Sequence, residues 1–362
     1  MKKIKILIVE DSAFMRKLIT DFLKEEARIE VIGTARNGED AITKIKQLKP
    51  DVVTMDVEMP IMNGLEALKK IMDESPTPVI MLSSTTAKGA ENTLVAMQNG
   101  AFDFIAKPSG AISLDLHKIK EELIQKVLQA SEANLSRLQK NANNTKTTLP
   151  ETKDYSRIEL KRNIFVKKAW VTTSKKVVCI GTSTGGPRAL QYVLTNLPKD
   201  INAPIFVVQH MPPGFTKSLA TRLDSLSHIK VKEAEDGEIV QNGTAYIAPG
   251  GFHLKVREIG KSLAIQLDQS AQRNGHRPSV DVMFESISLL SDYSAIAVVM
   301  TGMGVDGSRG LIDLKNNMNA KSIAESQESS IVFGMPKAAI ATNLVDEIEH
   351  VESIADCIVK YC

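Results

Sequence analysis

Residues 4–11 read Ile-Lys-Ile-Leu-Ile-Val-Glu-Asp, a mostly apolar run that ends in two carboxylates. A short run of this kind is typical of a strand that is buried on both faces of a sheet. Similar runs follow, and the segments between them have the spacing of amphipathic helices. The predicted strands are Ile4–Val9, Ile29–Ala35, Asp51–Asp56, Val79–Ser83 and Asp103–Ala106, and two of the predicted helices are Phe14–Glu25 and Glu39–Leu48. Five βα units in about 115 residues predict an open, doubly wound α/β domain with a parallel sheet.

The bulk properties indicate a soluble two-domain protein. The chain has 362 residues, of which 43% are hydrophobic and 24% charged, and this length suits two cores. A net charge of +2 gives no strong field toward nucleic acid or an anionic membrane. Three cysteines without CxxC spacing argue against a disulfide framework and a zinc site. The charged start is a predicted strand rather than a signal peptide, and no apolar run is long enough to span a membrane, so we expect a cytoplasmic protein.

A second α/β domain is predicted after a linker. Residues 115–140 keep helical spacing with mixed charges, whereas residues 141–154 are polar and without periodicity, as in a linker. From Lys175 the alternation resumes, with an antiparallel insertion expected around Tyr246–Leu267. The predicted strands are Val177–Gly181, Pro204–Gln209 and Ser294–Thr301, with a β-rich stretch at Thr244–Leu267. The predicted division is residues 1–120, a linker over residues 121–174, and a second domain over residues 175–362.

Acidic residues follow the predicted strands of the first half. Because ligands of open α/β sheets bind beyond the carboxyl ends of the strands, we expect Glu10, Asp11 and Asp56 to share one crevice. Three carboxylates repel one another unless a cation is present, and an all-oxygen site suits Mg²⁺. One of these carboxylates could attack a phosphoryl group, with Lys107 neutralising the transferred oxygens and Ser83 donating a hydrogen bond.

This layout resembles the receiver domain of two-component response regulators, a flavodoxin-like fold, over residues 1–120. Each matching residue taken alone is an ordinary loop residue of a doubly wound fold, but together they occupy five strand ends. The resemblance implies metal ligands at Glu10, Asp11 and Asp56, phosphorylation of Asp56, and switch residues at Ser83, Phe104 and Lys107; Met59, Pro60, Gly64 and Pro108 complete the pattern.

Residues 181–187 read Gly-Thr-Ser-Thr-Gly-Gly-Pro and join an apolar run to a predicted helix. Glycines followed by proline are what a tight strand-to-helix turn requires. Gly181, Ser183 and Gly185 also have the spacing of a nucleophile elbow, in which the serine oxygen projects from the turn. The alternatives are a plain glycine-rich turn and a phosphate cradle. A P-loop would need Gly-Lys-Ser/Thr at its end, whereas here Pro187 follows the glycines.

A nucleophilic serine needs a base and an orienting carboxylate. His210 ends a predicted strand and is therefore expected at the same sheet edge as Ser183, with His253 and His276 as alternatives. Asp306 follows another predicted strand and is the candidate carboxylate. The resulting order Ser…His…Asp differs from the order in α/β-hydrolases, so that fold is not implied.

Residues 302–307 read Gly-Met-Gly-Val-Asp-Gly and also match the GxGxxG dinucleotide fingerprint. Two features argue against that interpretation. Asp306 would place a negative charge inside the pyrophosphate turn, and the motif comes late in its domain. A receiver-linked oxidoreductase and a catalytically inactive binding module nevertheless remain as alternatives. A transcription factor is not favoured, because no short basic helix-turn-helix unit follows the linker.

The second half resembles the catalytic domain of the chemotaxis protein-glutamate methylesterases, the CheB family. The matching stretches are residues 181–187, 209–212, 274–281, 300–307 and 333–336. The resemblance implies Ser183 as nucleophile, His210 as base, Asp306 as its orienting carboxylate and the Met303 N–H as an oxyanion donor. It also implies hydrolysis of glutamate γ-methyl esters on chemoreceptors with release of methanol, and some members deamidate receptor glutamines.

The same resemblance implies the partners and cofactors. The chemoreceptors would be the substrate and a chemotaxis sensor histidine kinase the phosphodonor. Mg²⁺ would serve the receiver, and the esterase site would need no cofactor. No nucleic acid and no membrane insertion are expected.

Overall fold

The computed structural model describes residues 3–107, 114–133, 170 and 174–362. The first domain is a five-stranded parallel sheet in the order β2-β1-β3-β4-β5. Its elements are β1 (Ile4–Val9), α1 (Ala13–Lys24), β2 (Ile29–Ala35), α2 (Gly38–Leu48), β3 (Val52–Asp56), α3 (Gly64–Glu74), β4 (Val79–Ser83), α4 (Ala87–Gln98), β5 (Asp103–Ala106) and α5 (Leu114–Ala130). This confirms the predicted doubly wound fold.

The helices α1 to α4 begin at the sheet edge where the strands end. The residue before each helix caps it, because its side-chain oxygen accepts the backbone N–H three residues further on. These caps are Ser12, Asn37, Asn63 and Thr86. Capped helix starts and strand ends therefore surround the acidic residues of the first domain.

The second domain is built on a seven-stranded parallel sheet in the order β14-β13-β12-β6-β7-β9-β8, with a separate antiparallel pair, β10 and β11. Its elements are β6 (Lys175–Thr182), α6 (Gly186–Thr195), β7 (Ile205–Gln209), α7 (Phe215–Asp224), β8 (Lys230–Glu233), β9 (Thr244–Ile247), β10 (His253–Ile259), β11 (Ser262–Asp268), α8 (Val280–Ile287), β12 (Tyr293–Val299), α9 (Ser308–Asn317), β13 (Asn319–Glu325), α10 (Met335–Ala341), β14 (Glu347–Glu349), a 3₁₀ turn (Val351–Ser353) and α11 (Ile354–Tyr361).

The predicted second parallel sheet and its antiparallel insertion are confirmed, but the insertion is shorter than expected. Tyr246 belongs to β9, which pairs parallel with β7 and β8 in the main sheet. The antiparallel part is the hairpin β10–β11 alone. The predicted helix over residues 115–140 ends at Ala130, and its part beyond residue 133, like the predicted linker at 141–154, lies outside the described residues.

Strand β6 lies at the point where the order of the second sheet reverses. The chain leaves β6 toward β7 on one side and returns through β12 on the other. Such switch points are where open α/β sheets bind ligands. The turn after β6 carries Ser183, so the topology places this serine at the head of a crevice.

The two domains contact each other beside that crevice. Phe104 of β5 stacks on Phe215 at the start of α7, with ring centroids 4.8 Å apart. Gln98 at the end of α4 hydrogen-bonds Gln191 and Arg222. In the parts of the chain that the structure describes, no helix is long and apolar enough to cross a membrane.

Candidate active site

The turn after β6 has the tight geometry that its glycines predict. Gly185 adopts a left-handed conformation (φ +79°), which favours glycine, and Pro187 lies in the first turn of α6. The Ser183 N–H donates to the Thr301 carbonyl (3.0 Å), and the Ser183 carbonyl accepts the Gly186 N–H (2.7 Å). These bonds fix the serine backbone between β6 and the loop after β12.

His210 and Asp306 form a buried pair at the same edge. His210 Nε2 lies 2.8 Å from Asp306 Oδ2, with side-chain exposures of 5% and 2%. Burial alone would raise the pKa of Asp306, but the hydrogen bonds that it accepts, first among them that from His210, hold it below its usual range. Asp306 is therefore a carboxylate at neutral pH and fixes the proton of the imidazole on Nε2.

Further donors surround the Asp306 carboxylate. Helix α8 begins against it, so that the positive end of the helix dipole and the first backbone N–H groups face the negative charge. Oδ2 accepts the Val280 N–H (2.7 Å), while Oδ1 accepts the Ser279 hydroxyl (2.8 Å), the Asp281 N–H (3.1 Å) and the Asn274 side-chain amide (3.1 Å). The carboxylate has little freedom to rotate away from His210.

Asp281 holds the loop that carries Asp306. Its Oδ1 accepts the backbone N–H groups of Gly307 (2.9 Å) and Gly310 (2.8 Å). Burial and the nearby Asp306 charge raise the pKa of Asp281. Sequence reasoning assigned no role to Asp281, Ser279 or Asn274, although all three lie in the polar stretch 274–281. Ser279 and Asp281 lie at the start of α8, and a serine and an acid are typical of a helix start, so they were the available signal.

Ser183 and His210 come from neighbouring strand ends. Thr182 and Gln209 are register partners in β6 and β7, and the His210 N–H donates to the Thr182 carbonyl (3.1 Å). Because Nε2 serves Asp306, Nδ1 is the nitrogen available to a serine proton. Nδ1 is buried and has no hydrogen-bond partner among the described residues. The histidine–aspartate half of the predicted set is thus formed, whereas the serine–histidine bond is not.

The two alternative histidines occupy different surroundings. His253 begins β10, and its Nε2 lies 3.1 Å from the Ala271 carbonyl. His276 stacks face to face on His210, with ring centroids 3.9 Å apart and planes 12° apart. Burial, followed by the neighbouring His210, lowers the pKa of His276 to about 4. His276 is therefore neutral at pH 7 and covers one face of the candidate base.

The loop after β12 lies directly against Ser183. A Cβ added at Gly302 would be 2.7 Å from the Ser183 Cβ, so only a glycine allows this approach. The Gly302 carbonyl accepts the N–H groups of Gly334 (3.1 Å) and Met335 (2.8 Å). The next residue is Met303, whose backbone N–H is the predicted oxyanion donor.

The predicted acidic residues of the first domain lie close together. Carboxylate oxygens of Glu10, Asp11 and Asp56 all lie within 4.8 Å of one another. Lys107 Nζ is 2.8 Å from Glu10 Oε2 and 2.7 Å from Asp56 Oδ2. Burial raises the pKa of Glu10 to about 6 and also raises that of Asp56. Three oxygen ligands and this electrostatic strain fit a divalent cation.

Of the predicted switch residues, Lys107 lies within the acidic cluster, whereas Ser83 and Phe104 contact groups outside it. The Ser83 hydroxyl is buried and donates to the Gly89 carbonyl in α4 (2.9 Å). Phe104 is buried and stacks on Phe215 of the second domain. Ser83 is thus held within the receiver, and Phe104 contributes to the interface between the domains.

The comparisons with known proteins cover both domains. Residues 178–358 match the CheB methylesterase family and residues 6–118 match the response regulator receiver domain. The protein-glutamate methylesterase/protein-glutamine glutaminase of Geobacillus kaustophilus is 59% identical over 99% of both chains. The protein of the same name from Bacillus subtilis is 54% identical over 97% of this chain and 96% of that one.

A solved structure gives the same result for the second domain. The crystal structure of the Thermotoga maritima CheB methylesterase catalytic domain is 46% identical and aligns with a TM-score of 0.50, covering 52% of this chain and all of that one. The protein is therefore of the class in which a response-regulator receiver is joined to a parallel-sheet hydrolase. The chain belongs to the CheB methylesterase family.

Proposed function

We propose that the protein hydrolyses glutamate γ-methyl esters on chemoreceptors, releases methanol, and is activated by phosphorylation at Asp56. The single observation that carries the catalytic part is the buried His210–Asp306 pair at the strand end beside Ser183. In this proposal residues 1–120 form the receiver, residues 121–174 the linker and residues 175–362 the catalytic domain. The protein acts in the cytoplasm, where the helical substrate regions of receptors lie.

The chemistry follows from the tautomer that Asp306 selects. His210 carries its proton on Nε2, so Nδ1 accepts the proton of the Ser183 hydroxyl. The serine oxygen attacks the ester carbonyl carbon, and the Met303 N–H stabilises the oxyanion of the tetrahedral intermediate. The intermediate expels methoxide, which takes the proton from His210 and leaves as methanol. Water then repeats these steps on the acyl-enzyme and releases glutamate.

The same residues serve deamidation of glutamine. Attack by Ser183 on the side-chain amide gives the same acyl-enzyme, and the proton from His210 lets ammonia leave instead of methanol. The relatives from Geobacillus kaustophilus and Bacillus subtilis carry both activities in their names. The esterase site needs no metal or cofactor in this proposal.

Phosphoryl transfer is assigned to the acidic cluster of the receiver. Asp56 accepts the phosphoryl group from the sensor histidine kinase of the chemotaxis system. Mg²⁺ held by Glu10, Asp11 and Asp56 would neutralise the transferred oxygens, and Lys107, already within 2.7 Å of Asp56, would bind one of them.

The interface between the domains supports regulation by cover, in which the receiver lies over the catalytic crevice and blocks it. Asp103 Oδ2 of the receiver accepts the hydroxyl of Thr184, the residue after Ser183, at 2.6 Å. Phe104, the next residue of β5, stacks on Phe215. We infer that the unphosphorylated receiver restricts access of a receptor helix to the crevice. Phosphoryl-Asp56 would draw Ser83 from Gly89, reorganise Phe104 and loosen these contacts.

Methanol release from methylated receptors tests the proposal. Ser183→Ala and His210→Ala should abolish release, and a small-molecule phosphodonor should raise it in wild type but not in Asp56→Asn. A fluorophosphonate probe should label Ser183 in wild type and not in His210→Ala. An unlabelled wild type would favour an inactive binding module, and dinucleotide binding lost in Gly304→Ala would favour the oxidoreductase.

A further inference from the structure

Gln209 is the last residue of β7 and directly precedes His210. Its side chain is buried, with the whole residue 2% exposed. The amide oxygen Oε1 accepts the hydroxyl of Thr182 at 2.7 Å. The amide nitrogen Nε2 donates to the Ser183 carbonyl at 3.0 Å and to the His210 carbonyl at 3.2 Å. One side chain therefore bonds the backbone of both the candidate nucleophile and the candidate base.

The hydrogen-bond partners fix the orientation of this amide. Two carbonyl oxygens accept from one end, so that end must be the NH₂ group, which has two donors. The reversed amide would set its oxygen against two other oxygens in a buried place. The carbonyls of Ser183 and His210 therefore select one amide orientation, which leaves Oε1 for Thr182.

The serine turn is built around the Gln209 amide. A Cβ added at Gly186 would lie 1.9 Å from Gln209 Oε1 and 2.8 Å from the Thr182 Oγ1. Gly186 is not in a left-handed conformation, so the space taken by the amide, and not the backbone angle, requires glycine there. The position of the Gln209 amide therefore explains why residue 186 is a glycine.

The amide also extends the pairing of β6 with β7. The His210 N–H to Thr182 carbonyl bond is the last backbone bond between these strands in this region. Beyond it Ser183 turns into α6 and His210 turns toward Asp306, so the two backbones diverge. The side-chain NH₂ group of Gln209 bonds both backbones at this place, where a proton must pass between the side chains of Ser183 and His210.

We propose that Gln209 is a positioning residue that holds the backbones of Ser183 and His210 at the separation needed for proton transfer. This inference rests on the proposed hydrolase function. The amide does not touch the reacting atoms, so its removal should slow acylation without weakening receptor binding. Misplacement of catalytic groups by about 1 Å costs on the order of 100-fold in rate.

The main variant is Gln209→Met, which keeps the length of the side chain and removes all three hydrogen bonds. Steady-state methanol release should show kcat reduced about 10- to 100-fold, with KM within about twofold of wild type. The rate of fluorophosphonate labelling at Ser183 should fall by the same factor. The matched control is Ser322→Ala, which removes a buried hydroxyl of β13 that donates to the Leu344 carbonyl at 2.7 Å and to no residue of the candidate active site. It should lower the melting temperature and leave kcat unchanged.

A second pair of variants separates positioning from stability and serves if Gln209→Met does not fold. Gly186→Ala should displace the amide and lower both the melting temperature and kcat. Adding Gln209→Ala removes the closest contact of the new methyl group, 1.9 Å to Oε1, but leaves its 2.8 Å contact with Thr182, so the double variant should recover part of the melting temperature and none of the kcat. Joint recovery of both quantities, or wild-type kcat in Gln209→Met, would overturn the proposal. A wild type that the probe does not label would instead refute the hydrolase function itself.

Discussion

The hydrogen bond between Asp103 and Thr184 gives the most direct test of regulation by cover. Asp103 is 5% exposed, and its Oδ2 accepts the Thr184 hydroxyl at 2.6 Å across the domain interface. We predict that Asp103→Ala raises the esterase activity of the unphosphorylated protein. The substitution changes only a receiver residue, so the nucleophile and its base keep their own partners.

The size of the effect follows from this contact. A hydrogen bond to a charged acceptor is worth about 1.5–3 kcal/mol. Removing the carboxylate also relieves the cost of burying it, which Lys126 Nζ, at 3.3 Å, offsets only in part. We therefore take the lower end of the range, about 1.5 kcal/mol, which is roughly a tenfold shift toward the open arrangement. Basal activity should rise about tenfold, and the phosphodonor should add correspondingly less.

The assay is methanol release from methylated receptors, with and without a phosphodonor, at equal protein concentration. Asp40→Ala is the matched control, because its carboxylate pairs with Lys44 (3.0 Å) within the receiver. The control should behave like wild type. Basal activity unchanged in Asp103→Ala, with a phosphodonor response equal to that of wild type, would refute the role of this contact in cover.

Three further predictions concern the catalytic pair, its neighbour and the receiver. Asp306→Asn should reduce kcat about 10³- to 10⁴-fold by removing the acceptor that fixes the His210 tautomer; a loss below tenfold would contradict that role. His276→Phe keeps the ring stack and removes the titration. Because the pKa of His276 is about 4 in the folded protein against an ordinary value of 6.5, wild type should lose stability as pH falls from 6.5 to 4, and the variant should be more stable at pH 5 by about 2 kcal/mol in urea unfolding. If the variant and wild type differ in urea midpoint by the same amount at pH 5 as at pH 7, the ring of His276 does not titrate as described. Removing divalent cations with a chelator should abolish phosphorylation of Asp56, and Glu10→Gln should raise the Mg²⁺ concentration needed for half-maximal phosphorylation about tenfold; chelator-resistant phosphorylation would exclude the assigned metal role.

The sequence alone predicted the five strands of the first sheet, the strands β6, β7 and β12 of the second, and the groups at their ends; it did not predict β8, β13 and β14. Short apolar runs alternating with amphipathic segments specify parallel strands, and parallel strands end at a common edge. For that reason Glu10, Asp56 and Lys107 could be predicted to meet, and Ser183 could be predicted to lie near His210. Glycine and proline positions marked the turn after β6, because backbone angles are a local property.

Only the tertiary structure decided which side chains become partners. Asn274, Ser279 and Asp281 reach Asp306 from another part of the chain, and the stacking of His276 on His210 depends on the same packing. Tyr246 was assigned to the insertion because strand direction is not encoded in a buried strand of four residues. The contact of Asp103 with Thr184 and the hydrogen bonds from Gln209 to Ser183 depend on distances between separate segments. Local patterns fix backbone geometry, whereas long-range packing selects the hydrogen-bond partners of buried polar groups.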